Sequence, residues 1–452
     1  MTRARAVELA LLGVVLVTQW FLFTRPVHSA VNYDEAVYLA ALDALRHGQA
    51  LGSDVFAAQF PGFYDLLRGL SYVSGIGVAA VRYGLVVVML LGSVGAWLVG
   101  RRFGGPVGGL LAAAFLAIAP PLDLYGFQVI ADTPALALTV LALGLATLAA
   151  PVAVVAAGAV FAAALSVKLT AIMAVPALVW LLRGRLVAAA AGAAGVGLVL
   201  LIAHAGALGD LWTSGVTYHS DARSTPQVIG HPHRQIFDQI PHGTPFFVLA
   251  LAAVAATVGF AVVRRPLGVW PLWSWVVLGV AFLFLHAPLH LNHLVVFPFT
   301  LAVATGATLG AALERLPPPV ALVGVAALAV AVAAGFVQQF HRVDLARAGE
   351  PSTNVAAARA LARLVPPGAR TVDDRPIISF LAHRRVVGPL VDLARLRYET
   401  GSLTDARTIR ELRPARAVVV SRTLRERPRV LAYVRSHFRR RYDRGGVQIY
   451  VR

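Results

Sequence analysis

The feature that most constrains this chain is a recurring one: apolar stretches of roughly 15–22 residues, separated by short charged or proline-containing breaks. A helix needs about 20 apolar residues to cross the ~30 Å hydrocarbon core of a bilayer. No water is present there to satisfy free backbone groups, so such a chain folds as a bundle of membrane-spanning helices. Candidate spans lie near 6–23, 77–100, 106–121, 134–150, 152–167, 169–182, 186–206, 244–263, 268–286, 293–313 and 319–337, eleven in all. The pieces within 134–182 are short and divided mainly by Pro151 and Lys168. Composition agrees: 58% of the residues are apolar and 14% charged, against roughly 45–50% and 25% in soluble domains. There are no cysteines, which excludes disulfides, zinc–thiolate centres and thiol nucleophiles.

Basic residues set the expected orientation. Arg3 and Arg5 precede the first span, and Arg101-Arg102, Arg183/Arg185, Arg264-Arg265 and Arg315 follow even-numbered ones, the second, sixth, eighth and tenth. With the N-terminus in the cytoplasm all five clusters fall inside. The long polar segments 24–76, 207–243 and 338 onward then fall outside. The segment Val27-His28-Ser29-Ala30 places a bulky histidine where signal-peptide cleavage requires a small residue, so the first span is expected to stay as a helix. The expected location is the plasma membrane, with many passes.

This divides the chain into a membrane domain, 1–337, with extracytoplasmic loops 24–76 and 207–243, and a soluble α/β domain, 338–452. In the tail, amphipathic patterns at 354–364, 404–412 and 423–437 alternate with β-like runs at 371–373, Ala417–Val420 and Val447–Val451, and Pro366-Pro367-Gly368 and Gly445-Gly446 supply turns. The tail also carries 24 arginines against 10 acids, most of the chain's net charge of +18. A charge this high suggests nucleic acid. No aromatic interleaving or nucleic-acid motif accompanies it, so a solvated surface facing lipid head groups is the better expectation and no nucleic-acid partner is expected.

The first outside loop holds the richest chemistry: Val31-Asn32-Tyr33-Asp34-Glu35-Ala36-Val37-Tyr38, an apolar stretch to Leu45, then Arg46-His47-Gly48. It reads as a helix on the membrane surface, stopped by Gly48. Asp34 and Glu35 at the water–lipid boundary are candidates for acid–base work on the head group of a lipid-linked substrate, since a general base must reach an acceptor hydroxyl. The spacing has a structural reading as well. Asn32 and Glu35 stand at N-cap and N3, as in a capping box, with Asp34 in the first turn against the helix dipole.

Asp34-Glu35-Ala36-Val37-Tyr38 after the first span, an amphipathic helix, Gly48, and Phe60-Pro61-Gly62-Phe63-Tyr64 resemble the first periplasmic loop of the glycosyltransferase C superfamily. The similarity is to its polyprenyl-phosphate-sugar-dependent members, the protein O-mannosyltransferases and aminoarabinose lipid A transferases. Phe60-Pro61-Gly62 stands where that layout has a double proline. Ala131-Asp132-Thr133-Pro134 resembles the family's second acidic motif, and Ser166-Val167-Lys168-Leu169-Thr170 its lysine element. The resemblance implies a polytopic α-helical membrane fold with an extracytoplasmic α/β tail. It also implies a polyprenyl-phosphate sugar donor and inverting transfer to an acceptor hydroxyl on a lipid, glycan or protein.

Physical reasoning marks the same positions. An Asp or Lys at bilayer depth costs about 2.5–3.5 kcal/mol, so Asp132 and Lys168 need partners or tasks. Asp132 is either a helix cap or a substrate contact. Lys168, the sole lysine, is either a snorkelling side chain or a holder of lipid phosphate. The 207–243 loop carries Tyr218, His219, Asp221, Arg223, His231, His233, Arg234, Asp238 and His242, and His286, His290 and His293 border the next outside turn. These suit a polar vestibule contacting a leaving phosphate. A divalent metal is possible, but no tight spacing such as H-E-x-x-H supports it, and no cofactor is required.

The expected mechanism gives Asp34 the role of base, with Glu35 shaping the site. Tyr38, Asp132, Lys168, His219, Arg223, Arg234 and His293 line the substrates. The alternatives are a transporter or flippase of a lipid-linked saccharide, which would be expected to show inverted repeats or broken helices at the midplane, and a non-catalytic envelope assembly protein.

Overall fold

The computed structural model describes residues 2–225, 244–263 and 266–452. The chain forms two compact units.

The first unit draws on the described parts of Met1–Val27, Arg82–Leu201 and Pro232–Arg347. Six described helices of the chain are long and apolar enough to cross a membrane: Arg3–Thr24, Val78–Ile118, Leu186–Ala203, Pro245–Val262, Leu291–Leu313 and Pro318–Leu345. Shorter apolar helices are Asp132–Ala146, Pro151–Val167, Leu169–Leu181 and Trp270–Leu285. In Leu186–Ala203 and in Pro318–Leu345 only 11% of the most apolar window is buried. Surfaces so apolar and so open are stable against lipid rather than water.

The Val78–Ile118 helix breaks at Gly104 and Gly105, the latter at φ +59°, just before Pro106. The break follows Arg101-Arg102, where the sequence predicts the boundary between two spans. Lipid tails are as apolar as leucine, so helices associate here through close packing of small residues. Gly95 and Gly144 do this between Val78–Ile118 and Asp132–Ala146: a Cβ on Gly144 would lie 2.7 Å from the Gly95 backbone. On Gly158 or Gly192 it would collide with the carbonyls of Ala189 and Val155 respectively.

Four of the five basic clusters gather at one end of this unit. Glu8, buried in the first helix, accepts from Arg5 (3.1 Å), Arg101 Nε (2.8 Å) and Trp97 Nε1 (3.0 Å). Phe103 stacks on Trp180 at 5.4 Å, and the Arg183 guanidinium lies over the same indole at 4.2 Å. Glu314, next to Arg315, packs its carboxylate against Gly105. The fifth pair, Arg264-Arg265, lies outside the described residues.

The second unit comprises His28–Val81, the described part of Ile202–His231, and Ala348–Arg452. The first polar loop thus belongs with the C-terminal tail, whereas the sequence division groups it with the membrane domain. A five-stranded sheet in the order β2-β1-β3-β5-β4 forms its centre. Its strands are β1 (Arg370–Asp373), β2 (Arg385–Val386), β3 (Ala417–Val420), β4 (Arg439–Arg444) and β5 (Val447–Val451). The pairs β1–β2 and β1–β3 are parallel, and β3–β5 and β4–β5 antiparallel. Gly445 and Gly446, at φ +57° and +76°, make the β4–β5 turn, where L-residues would be strained.

Both faces of the sheet are covered. Val372, Val418, Val420 and Tyr450 pack on one side with Leu412, Val430 and Val434. Ala417, Val419, Val447 and Ile449 pack on the other with Ala357, Leu361, Ile377 and Ala36, the last from the Tyr33–Arg46 helix. That helix and Pro61–Ser74, both from the first loop, complete the unit with short turns at Leu208–Trp212 and Tyr218–Ala222.

Candidate active site

In the second unit the candidate site is the start of the Tyr33–Arg46 helix. Asn32 Oδ1 accepts Glu35 N–H at 2.9 Å, and Glu35 Oε2 accepts Asn32 N–H at 3.3 Å. The capping box read from the spacing is formed, satisfying backbone donors that a helix start leaves open. Glu35 is fully buried by it. Asp34 is in the same first turn but exposed. The adjacent acids therefore differ in burial, Glu35 held in the cap and Asp34 exposed.

Tyr38 lies one turn further along, buried, accepting from Gln59 Nε2 at 2.9 Å and packing edge-on to Phe63 and Tyr64. His219 Nε2 donates to the Ala58 carbonyl at 2.9 Å, which fixes its tautomer. Beside it Tyr218 is buried, and burial together with the negative charges of Asp392 and Asp34 raises its phenol above the ordinary value. Arg223 is exposed at the end of the Tyr218–Ala222 turn. The helix closes at Gly48, φ +84°, as its sequence predicts.

In the first unit a second group forms. Asp132, first residue of Asp132–Ala146, is 1% exposed, and its Oδ2 accepts from Lys168 Nζ at 2.7 Å and Asn292 Nδ2 at 2.8 Å. Lys168 sits in an extended break, φ −160° and ψ 136°, between Pro151–Val167 and the 3-10 turn Leu169–Ala174. The break releases its side chain from the helix ladder. Among the described residues the ammonium, 14% exposed, hydrogen-bonds Asp132 alone. An ammonium has three donors, so this pairing leaves capacity for an anion. The two charges expected to be costly in a membrane thus satisfy each other.

His293 is buried; its Nδ1 accepts His290 N–H at 3.2 Å, and its ring lies 4.7 Å from His286 and 5.5 Å from His290. Among the described residues no three His, Asp or Glu side chains form a group able to hold a metal ion. Arg234, with His231, His233, Asp238 and His242, lies outside the described residues.

Sequence reasoning missed Asn292, although a polar residue beside His293 at the head of an apolar span was a signal. It also missed Asp392 and Arg397, whose contacts with Tyr33 and Phe56 are far away in the chain and leave no local pattern.

No protein-family model and no curated protein sequence matches the chain. Its fold does match solved structures. ArnT from Cupriavidus metallidurans is similar in the apo state, with a TM-score of 0.61 at 15% identity over 99% of this chain and 98% of that one. The same protein bound to undecaprenyl phosphate gives 0.65 at 14% identity over the same shares, 99% and 98%. The oligosaccharyltransferase AglB from Archaeoglobus fulgidus, in complex with an inhibitory peptide and a dolichol-phosphate, gives 0.56 at 11% identity over 100% of this chain and 75% of that one. Likeness at these identities establishes architecture: the chain has the glycosyltransferase C fold.

Proposed function

We propose that this chain is an inverting membrane glycosyltransferase that moves a sugar from a polyprenyl-phosphate donor to an acceptor hydroxyl on the extracytoplasmic side. The observation that carries the reading is the exposed Asp34 carboxylate at a helix start whose other acid is consumed in the cap. The full-length fold similarity to a protein solved with undecaprenyl phosphate supports it.

Asp34 takes the proton of the acceptor hydroxyl as its oxygen attacks the anomeric carbon. The bond from that carbon to the phosphate oxygen breaks, and the electron pair leaves with the polyprenyl phosphate. Lys168, held by Asp132 and joined by His293, neutralises the charge that develops on the phosphate. His219 and Arg223 line the polar approach, and Tyr38 and Glu35 shape the loop behind Asp34. In this reading the donor is already lipid-borne, so no nucleotide site is needed.

The test uses membranes containing the full chain, with undecaprenyl-phosphoryl mannose and undecaprenyl-phosphoryl aminoarabinose offered separately as donors and envelope extract as acceptor. Transfer by the wild type from one donor, abolished in Asp34→Asn, is the expected result. No transfer from either donor, or wild-type rates in Asp34→Asn, overturns the reading.

The same reading places the N-terminus in the cytoplasm. Because the chain has no cysteine, single probes report cleanly. Ser53→Cys should react with a membrane-impermeant maleimide on intact cells, and Arg102→Cys only after permeabilisation. The reverse pattern would invert the topology.

A further inference from the structure

The first turn of the Tyr33–Arg46 helix is gripped by a segment 359 positions away in sequence. Tyr33 Oη donates to Asp392 Oδ1 at 2.9 Å and accepts Leu393 N–H at 3.0 Å. Ala394 N–H donates to the same Asp392 oxygen at 2.8 Å, so the carboxylate is aimed by its own turn. Burial and the neighbouring Asp392 push the Tyr33 phenol well above its ordinary value.

Arg397 closes the segment. It is 1% exposed and donates to the carbonyls of Pro389 and Asp392, and its guanidinium lies 3.6 Å from the centroid of the Phe56 ring. Phe56 in turn donates its N–H to Gly388 O at 3.2 Å and meets Tyr218 edge-on at 5.7 Å. The chain entering the helix is fixed as well: Ala30 N–H donates to Ala348 O at 2.8 Å and Val31 N–H to Glu350 Oε2 at 2.9 Å.

We propose that residues 388–397 are a positioning device for the Asp34 carboxylate, acting through Tyr33, so that the C-terminal domain sets the geometry of proton removal without touching substrate. This rests on the reading of Asp34 as the base. Tyr33 and Asp34 are the first two residues of the helix, where fraying is easiest. Two hydrogen bonds on the Tyr33 hydroxyl stop the first turn from unwinding and from rotating about the helix axis. Those are the two freedoms by which an exposed carboxylate loses its aim. A displacement of about 1 Å in such a group costs on the order of 10²-fold in rate.

The test compares Tyr33→Phe, Asp392→Ala and Asp392→Asn in the full chain, using the donor that supports transfer by the wild type. Tyr33→Phe keeps the ring and removes both bonds. Asp392→Asn keeps an acceptor oxygen, which Asp392→Ala lacks. The expected result is a kcat per folded enzyme lowered roughly 10- to 100-fold in Tyr33→Phe and Asp392→Ala. Donor KM should stay within about threefold, and Asp392→Asn should recover most of the rate. A merely structural bond would lower the yield of folded protein and leave kcat per folded enzyme at the wild-type value; that result overturns the proposal. Asp34→Asn, run alongside, separates the two claims. If it is inactive while Tyr33→Phe turns over normally, positioning alone fails; if it is active, the base assignment fails and positioning with it.

Discussion

Asp34 and Asp132 occupy the first turns of two helices, and the structure treats them in opposite ways. Asp34 is exposed, in a unit built from loops and a sheet, with the neighbouring capping groups occupied by Asn32 and Glu35. Asp132 is buried in the helical unit and bound to Lys168 and Asn292. The same position relative to a helix dipole therefore does not decide the task of an acid. What separates the two is burial: Asp132 is 1% exposed against an ammonium, and Asp34 is open to solvent. An acid buried against an ammonium is a poor proton acceptor, and one open to solvent can be reached by an acceptor hydroxyl.

The largest effect should come from breaking this contrast at its exposed side. Asp34→Asn should lower kcat by about 10²–10⁴-fold, the usual contribution of a general base, while leaving the melting temperature unchanged. Next come the buried partners. Asp132→Asn leaves the Lys168 charge without its counter-charge and Lys168→Met leaves the carboxylate with only the neutral Asn292, so each should destabilise the protein by about 3 kcal/mol. The double variant Asp132→Asn/Lys168→Met removes both charges and should regain most of that stability but no activity, since the phosphate contact is gone. Recovery of activity together with stability would show that the pair is only structural.

Glu35 sharpens the comparison at smaller scale. Glutamine also serves at the third position of a capping box, so Glu35→Gln should keep the helix start and cost only several-fold in turnover, with thermal denaturation unchanged. A loss as large as that of Asp34→Asn with the fold intact would make Glu35 a second reacting carboxylate.

The contrast also explains what could be read from the sequence. Apolar runs report spans because the bilayer imposes a length. The Gly104-Gly105-Pro106 break was visible beside Arg101-Arg102, and the Asn32–Glu35 cap was visible because its partners are three residues apart. The lone lysine and Asp132 stood out as charges in apolar surroundings, but their mutual bond spans 36 positions and no spacing encodes it. The Tyr33–Asp392 bond is invisible for the same reason. β4 was missed because Arg439-Arg440-Arg441 at a sheet edge shows no apolar alternation. The predicted helix over 423–437 divides at Arg427, whose non-helical backbone, φ −114° and ψ 83°, before Pro428 ends one turn and starts the Pro428–His437 helix.

A third acid extends the comparison to a carboxyl that is not exposed and, among the described residues, forms no ion pair. Asp373 ends β1, fully buried, with its oxygens accepting Arg375 N–H and Ser379 N–H, each at 2.8 Å. These bonds favour the charged form, but burial outweighs them, helped by the adjacent Asp374, and pushes the carboxyl up to about 8 from its usual 3.8. In the unfolded chain the proton leaves near pH 4; in the fold it stays until about 8. Between those values the folded state binds more protons, so Asp373's contribution to stability is greatest at low pH and falls as pH rises through this window. Asp373→Asn removes the titration. Its melting temperature relative to the wild type, measured on the full chain in detergent, should therefore rise by a few degrees between about pH 5 and pH 8 and level off above. A difference that stays constant over that range would mean that Asp373 is already ionised in the fold, and that its two N–H donors hold the charge without a cation.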